Sequence, residues 1–195
     1  MIRKGARSGA VCMQSPAPGR KLDNKKPCMV WYNSKRPVGW GNSPAFREIS
    51  LFGGNIMEYK RFGSAIIVRI DRGEEILAHV KELAGKENIK LASVTALGAI
   101  CDFTVGVFDT AEKKYSSNSF QGPFEIVSLT GTINTMNDEF YTHIHMSAGN
   151  SKGQVFGGHL NRAVVSATCE MVVTVIDGKV DRYYDEDVGL NLFQF

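Results

Sequence analysis

Three of the chain's four histidines, His143, His145 and His159, lie in one short stretch, Thr142-His-Ile-His-Met-Ser-Ala-Gly-Asn-Ser-Lys-Gly-Gln-Val-Phe-Gly-Gly-His159. In a strand, successive side chains alternate between faces, so His143 and His145 project from one face, roughly 6.5–7 Å apart along the chain. One ion between them reaches both. Gly149, Gly153, Gly157 and Gly158 let the chain turn back and bring the His159 imidazole alongside the pair. Three neutral imidazoles with an open fourth position suit divalent zinc and other borderline metals, so the expected cofactor is a divalent metal, zinc first. The fourth histidine, His79, sits in the charge-rich helical segment Glu74-Glu-Ile-Leu-Ala-His79-Val-Lys-Glu-Leu83. It reads as a solvated or partly covered helix residue and is left out of the site.

The elements that must position these imidazoles are mainly strands. Tyr59 to Ile70 reads as a strand rich in β-branched residues. Asp71 offers an N-cap, and Glu74 and Glu75 place negative charge at the start of a helix reaching about Glu87. Ile76, Leu77, Val80, Leu83 and Ala84 fall at helical spacing and make its apolar face. Leu91 to Leu97 and Ile100 to Phe108 are strand-like on either side of Gly98, and Lys113-Lys114-Tyr115 suits an exposed edge or hairpin. Gly122 to Ile133 reads as a strand buried on part of both faces. Asn137-Asp138 marks a hairpin turn into Phe140 to Ser147, the strand with the histidine pair. Gly153 to Phe156, Val164 to Cys169, Met171 to Ile176 and Val180 to Asp185 complete the run, the last two joined across Asp177-Gly178. One early helix among many strands predicts an α+β fold, a mostly antiparallel β-sheet with one packed helix.

At 195 residues, 43% hydrophobic and 22% charged, the chain is long enough for one domain with a substantial core. Its longest apolar runs, such as Ala65 to Val68 and Met171 to Ile176, are strand-sized, so no membrane partner is expected. Cys12, Cys28, Cys101 and Cys169 show no C-x-x-C spacing, and the last two sit in apolar strand context, which fits a reducing cytoplasm. The net charge of +3 divides unevenly: ten Lys/Arg against Asp23 and Glu48 give +8 over residues 1–56, and thirteen against eighteen give −5 over 57–195.

The basic segment 1–56 carries five of the six prolines and no sustained period, and it reads as disordered. Such an arm can touch nucleic acid through phosphates, and Lys35-Arg36-Pro37 matches only the end of the Arg-Gly-Arg-Pro core of a minor-groove hook. A targeting peptide finds neither an apolar core nor a continuous amphipathic pattern here. Phe52-Gly-Gly-Asn-Ile-Met57 can be encoded as a ribosome-binding sequence ahead of a start codon. The expectation is therefore that Met57 is the natural start, with 1–56 a mis-annotated upstream translation and 57–195 the folded domain.

Gly122-Pro-Phe-Glu-Ile-Val-Ser-Leu-Thr-Gly131 resembles the hallmark strand of the PPC domain, a domain conserved in plants and prokaryotes. Leu97-Gly-Ala-Ile100 is similar to that family's Gly-Ala-Val turn, His143-Ile-His145 to its His-x-His strand, and Val155-Phe-Gly-Gly-His-Leu160 to its Gly-Gly-His-Leu segment. The four motifs occur in order over about Tyr59 to Tyr184. The resemblance implies a compact α+β domain assembling as a homotrimer. It implies nuclear DNA binding where a plant member carries a complete hook, and a stand-alone domain in prokaryotes. It further implies that some prokaryotic members hold a metal at the positions of His143, His145 and His159. Glu125 and Glu170 are acidic candidates for orienting the ligand rings, since a carboxylate on the second ring N–H fixes a histidine's tautomer. Equally open for Glu125 is a partly buried carboxylate holding backbone or an arginine such as Arg162.

Two functional classes follow. One is a DNA-associated or regulatory oligomer bearing a three-histidine metal site. The absence of a complete hook and the acidic domain weigh against direct phosphate contact. The other is a metal-dependent hydrolase or lyase acting on a small polar substrate, with catalytic residues unassigned. A cupin-like barrel also uses H-x-H, but it needs a glutamate where this chain has Gly149 and Asn150. No G-x-x-x-x-G-K-S/T phosphate loop and no G-x-S-x-G nucleophile setting occur.

Overall fold

In the strand Ala65–Asp71, Ile66, Val68 and Ile70 are buried while Ile67, Arg69 and Asp71 face outward. That period of two fixes which face of the sheet becomes the core. The structure, a computed structural model, describes residues 57–195; the basic, proline-rich segment 1–56 lies outside the described residues. The predicted strand Tyr59 to Ile70 is instead a hairpin, β1 (Glu58–Phe62) and β2 (Ala65–Asp71), paired antiparallel around a turn at Gly63 and Ser64.

Helix α1 (Ile76–Lys86) buries Ile76, Val80, Leu83 and Ala84, four of the five residues predicted for its apolar face. Its N-cap is Glu75 rather than Asp71. Glu75 Oε2 accepts the Ala78 N–H at 2.7 Å, and Oε1 accepts the Ala163 N–H at 3.1 Å. One carboxylate thus satisfies a helix-end donor and fastens the helix to the strand beneath it. Asp71 is consumed as the last residue of β2, where its own N–H donates to Glu74 Oε2 at 2.8 Å.

The remaining main strands are longer than their sequence segments indicate: β3 (Ala92–Asp109), β4 (Lys114–Met136), β5 (Glu139–Asn150) and β6 (Val155–Val175). Gly98, read as a break, lies within β3. The ladder shifts register between Ala96 and Gly98 and again between Ile100 and Asp102, so local irregularities bend the strand without ending it. The antiparallel order is β1-β2-β6-β3-β4-β5, and β5 pairs a second time with β6. The series β6-β3-β4-β5-β6 therefore closes on itself. Along β6, the part from Thr168 to Thr174 serves β2, while Val155 to His159 serves β5. The hairpin expected across Asp177-Gly178 does not form. The last predicted strand, β7 (Asp181–Asp185), pairs instead with a strand not anticipated, β8 (Leu190–Gln194), in a separate two-stranded sheet.

Inside the closed sheet, Phe103 stacks on Phe120 with centroids 4.9 Å apart and meets Phe124 edge-on at 5.0 Å, while Phe120 stacks on Phe156 at 4.7 Å. Such aromatic pairs add to the burial of their large apolar area. Cys101 and Cys169 are buried, as their apolar context predicts, and burial, reinforced by Glu170, pushes the Cys169 thiol up to about 12. Among the described residues no helix is long and apolar enough to cross a membrane.

At Gly131 β4 lies tight against β5. A Cβ there would lie 2.2 Å from the His143 carbonyl oxygen and 2.6 Å from Ile144 Cα, so only glycine lets β5 lie where its histidines emerge. Gly131→Ala is expected to cost about 1–3 kcal/mol, the usual penalty for overfilling a packed site. Chemical denaturation of the purified variant measures it, and an unchanged midpoint would contradict the close approach.

Candidate metal centre

The centre is built where the sheet closes. On β5, Ile144, Met146 and Ala148 point into the core, which turns His143 and His145 outward together, as the period of two requires. Closure of the ring pairs His145 with His159, and on its other side His159 is paired with Gly106 of β3. Gly157 and Gly158, expected in the reversal, lie inside β6, and the chain turns earlier, at Ser151 to Gly153. The role of Gly158 is proximity: a Cβ there would come within 2.5 Å of the Gly106 carbonyl oxygen, so its absence lets β6 nestle against β3 beside His159.

The three rings converge. Their centroids are 5.0 Å apart for His143 and His145, 5.3 Å for His143 and His159, and 5.7 Å for His145 and His159. One nitrogen from each lies within 4.8 Å of the others, and His143 Nε2 and His145 Nε2 are 3.2 Å apart. Two ligands at ordinary zinc–nitrogen lengths on a tetrahedral ion are about 3.3 Å apart, so this pair already has a metal-ligand spacing. Tyr115 meets His159 edge-on at 6.4 Å, and its hydroxyl donates to Asn161 Oδ1 at 2.6 Å, which holds the ring against the histidine. The donor set of three imidazoles, with no carboxylate among them, fits zinc or a similar borderline ion.

Protonation favours the same chemistry. Desolvation, followed by the neighbouring His145, His159 and Arg182, holds the His143 imidazole down at about 4. Burial and then His145 lower His159 as well. Both rings are therefore neutral at physiological pH, the state in which imidazole ligates metal.

The acidic candidates lie elsewhere. Glu125 is paired with Ala99 and Gly149 and lines a different cleft with Pro123 and Asn150. Glu170 is paired with Arg69 and Leu97, far along β6 from His159. Strand direction separates both from the imidazoles, so neither orients a ring. Arg162 pairs with Asp102 at 2.7 Å rather than with Glu125. His79 is absorbed by its helix: Nε2 lies 3.2 Å from Glu74 Oε2 and Nδ1 lies 3.1 Å from the Glu75 carbonyl oxygen.

Sequence reasoning missed the cleft beside the histidines, a space of about 680 Å³ between the closed sheet and the β7–β8 hairpin. Tyr141, Phe108, Phe193 and Arg182 contribute to its walls. Tyr141 was accessible, because two residues before His143 is the same strand face. Arg182 and Phe193 carried no such signal.

Folding lowers the proton affinity of the His143 ring. Between about 4 and the ordinary value of 6.5, the unfolded chain binds the extra proton and the folded chain does not. Stability of the metal-free protein therefore falls as pH drops through that window and levels off below it. Proton NMR of the metal-free protein is expected to show the His143 ring neutral down to about pH 4; titration at the ordinary histidine value would refute the desolvated setting.

Comparison with known proteins places this architecture. No curated protein matches the chain. A crystal structure from Bacteroides thetaiotaomicron, named provisionally as a DNA-binding protein, shares 33% identity with a TM-score of 0.70, covering 72% of this chain and 99% of that one. A protein from Archaeoglobus fulgidus, named as metal-containing, shares 30% identity with a TM-score of 0.65 over 73% of this chain and 100% of its own. The Pyrococcus horikoshii plant- and prokaryote-conserved protein shares 28% identity with a TM-score of 0.62 over 74% and 98% of the two chains. The sequence profile of the Plants and Prokaryotes Conserved (PCC) domain matches residues 57–177. With its four motifs set on the strands of a closed antiparallel sheet, the chain belongs to the PCC domain family.

Proposed function

We propose that this PCC domain is a metal-binding module in which His143, His145 and His159 hold one divalent ion, zinc first, facing the adjoining cleft. The observation that carries this reading is the 3.2 Å separation of His143 Nε2 and His145 Nε2 with the His159 nitrogen close by. Support comes also from the Archaeoglobus relative, which is named metal-containing. An ion so held supplies Lewis acidity and lowers the pKa of water toward neutrality, chemistry that serves hydrolytic or lyase-like turnover of a small polar substrate. The protein's own part is to present the three imidazoles on a rigid face and to line the approach with aromatic walls.

Assembly as a homotrimer belongs to the same proposal. Ile67, Leu97 and Val172, 43%, 58% and 39% exposed, lie on the outward face of the sheet, apolar area of the kind that subunit contact buries. Two buried cysteines fit a reducing cytoplasm.

A second reading, association with DNA, is favoured by the provisional name of the Bacteroides relative. The formal charge of −5 over residues 57–195, thirteen basic against eighteen acidic side chains, opposes it.

Protein purified without chelator is expected to carry about one zinc per chain by elemental analysis, and His145→Ala and His159→Ala to reduce it to traces. Wild-type protein without metal would sink the metal reading, and sedimentation of the same sample as a monomer would sink the trimer. For the second reading, a gel-shift series of protein beginning at Met57 across salt concentrations is decisive: no retardation at low salt excludes direct DNA contact by this domain.

A further inference from the structure

Arg182, on β7, is a buried cation without an anion. It is 6% exposed, and among the described residues no carboxylate pairs with it. Nε donates to Asn134 Oδ1 at 3.2 Å and Nη1 to the Asn191 carbonyl oxygen at 2.6 Å, both neutral acceptors. The guanidinium carbon lies over two aromatic rings, 4.8 Å from the centroid of Tyr141 and 4.3 Å from that of Phe193. These contacts fix its plane and leave Nη2 with no acceptor among the described residues. Arg182 lines the same cleft as the three histidines. Retaining a charge in such a place is costly unless an opposite charge arrives to match it.

We propose that the cleft binds a small organic carboxylate, its carboxylate on Arg182 and its body between the aromatic walls and the three-histidine centre. A single guanidinium balances a single negative charge, which favours a carboxylate over a phosphate dianion, and the cleft offers no lysine beside it. The aromatic and aliphatic surfaces of Phe108, Phe193 and Leu192 suit an apolar ligand body. The hairpin that supplies Arg182 lies after residue 177, where the family match ends, so this charge comes from outside the matched segment.

The inference deepens the metal reading, and one set of titrations separates the two. Benzoate and its uncharged counterpart benzamide are titrated by calorimetry into the full chain, metal-free and zinc-loaded. Saturable benzoate binding is expected in both forms, tighter with zinc, with benzamide weaker by roughly ten- to a hundredfold, the range for losing a charged hydrogen bond. Arg182→Gln should lose benzoate affinity by a similar factor while keeping its zinc content, and Arg182→Lys should recover part of it. Because Arg182→Gln can unsettle the hairpin, the wild type carries its own test: benzoate must shift the Arg182 side-chain nitrogen resonances. Zinc-loaded protein that binds neither probe, or binds both equally, overturns the inference and leaves the metal reading standing. Arg182-dependent binding by a chain that takes up no zinc does the reverse.

Discussion

Everything at the site depends on β6 changing neighbours along its length. Its later half is hydrogen-bonded to β2 and its first residues to β5, while β3 pairs along its other side from His159 onward. That exchange converts an open sheet into a ring. Without it, His159 would lie on a free edge and His145 would have no partner on that side. The main-chain ladder thus does the positioning, and imidazole geometry inherits the stiffness of paired strands rather than the mobility of loops.

Around this scaffold, polar groups are placed where the sheet cannot satisfy them alone. Asn134 is fully buried and both donates and accepts, its Nδ2 to the Thr135 carbonyl oxygen at 2.9 Å and its Oδ1 from Arg182. Asn191 reaches the Tyr141 hydroxyl at 3.3 Å. These links stitch the small β7–β8 sheet to the large one across the cleft. The hairpin is therefore a wall with a defined position, and the charge it carries is held rather than loosely tethered.

The histidine centre was legible because alternation along a strand is a local rule: His143 and His145 had to share a face once that stretch was extended. The Asn137-Asp138 turn was legible for the same reason, and both residues take positive φ, 54° and 66°. Strand lengths were not. Gly98 looks like a terminator, yet β4 and β6 pair with it from both sides and carry β3 through, and β4 runs on past Gly122 on its pairing with β3 alone. The helix cap shifted from Asp71 to Glu75 because the Ala163 N–H on β6, distant in sequence, claims the same carboxylate. Arg182 was hidden for a related reason, since its burial is created by β8, whose short Leu-Asn-Leu-Phe-Gln run carries no distinctive pattern.

The late position of β6 in the chain has a kinetic meaning. Its neighbours β2 and β3 lie far earlier in the chain, Ala65 opposite Thr174 and Ala92 opposite Val175, so the pairings that complete the sheet are long-range events of the kind that slow folding. During synthesis, β2 through β5 leave the ribosome with edges still unsaturated, and they stay so until β6 follows. In that interval the nascent chain is most prone to mispairing and most in need of chaperones.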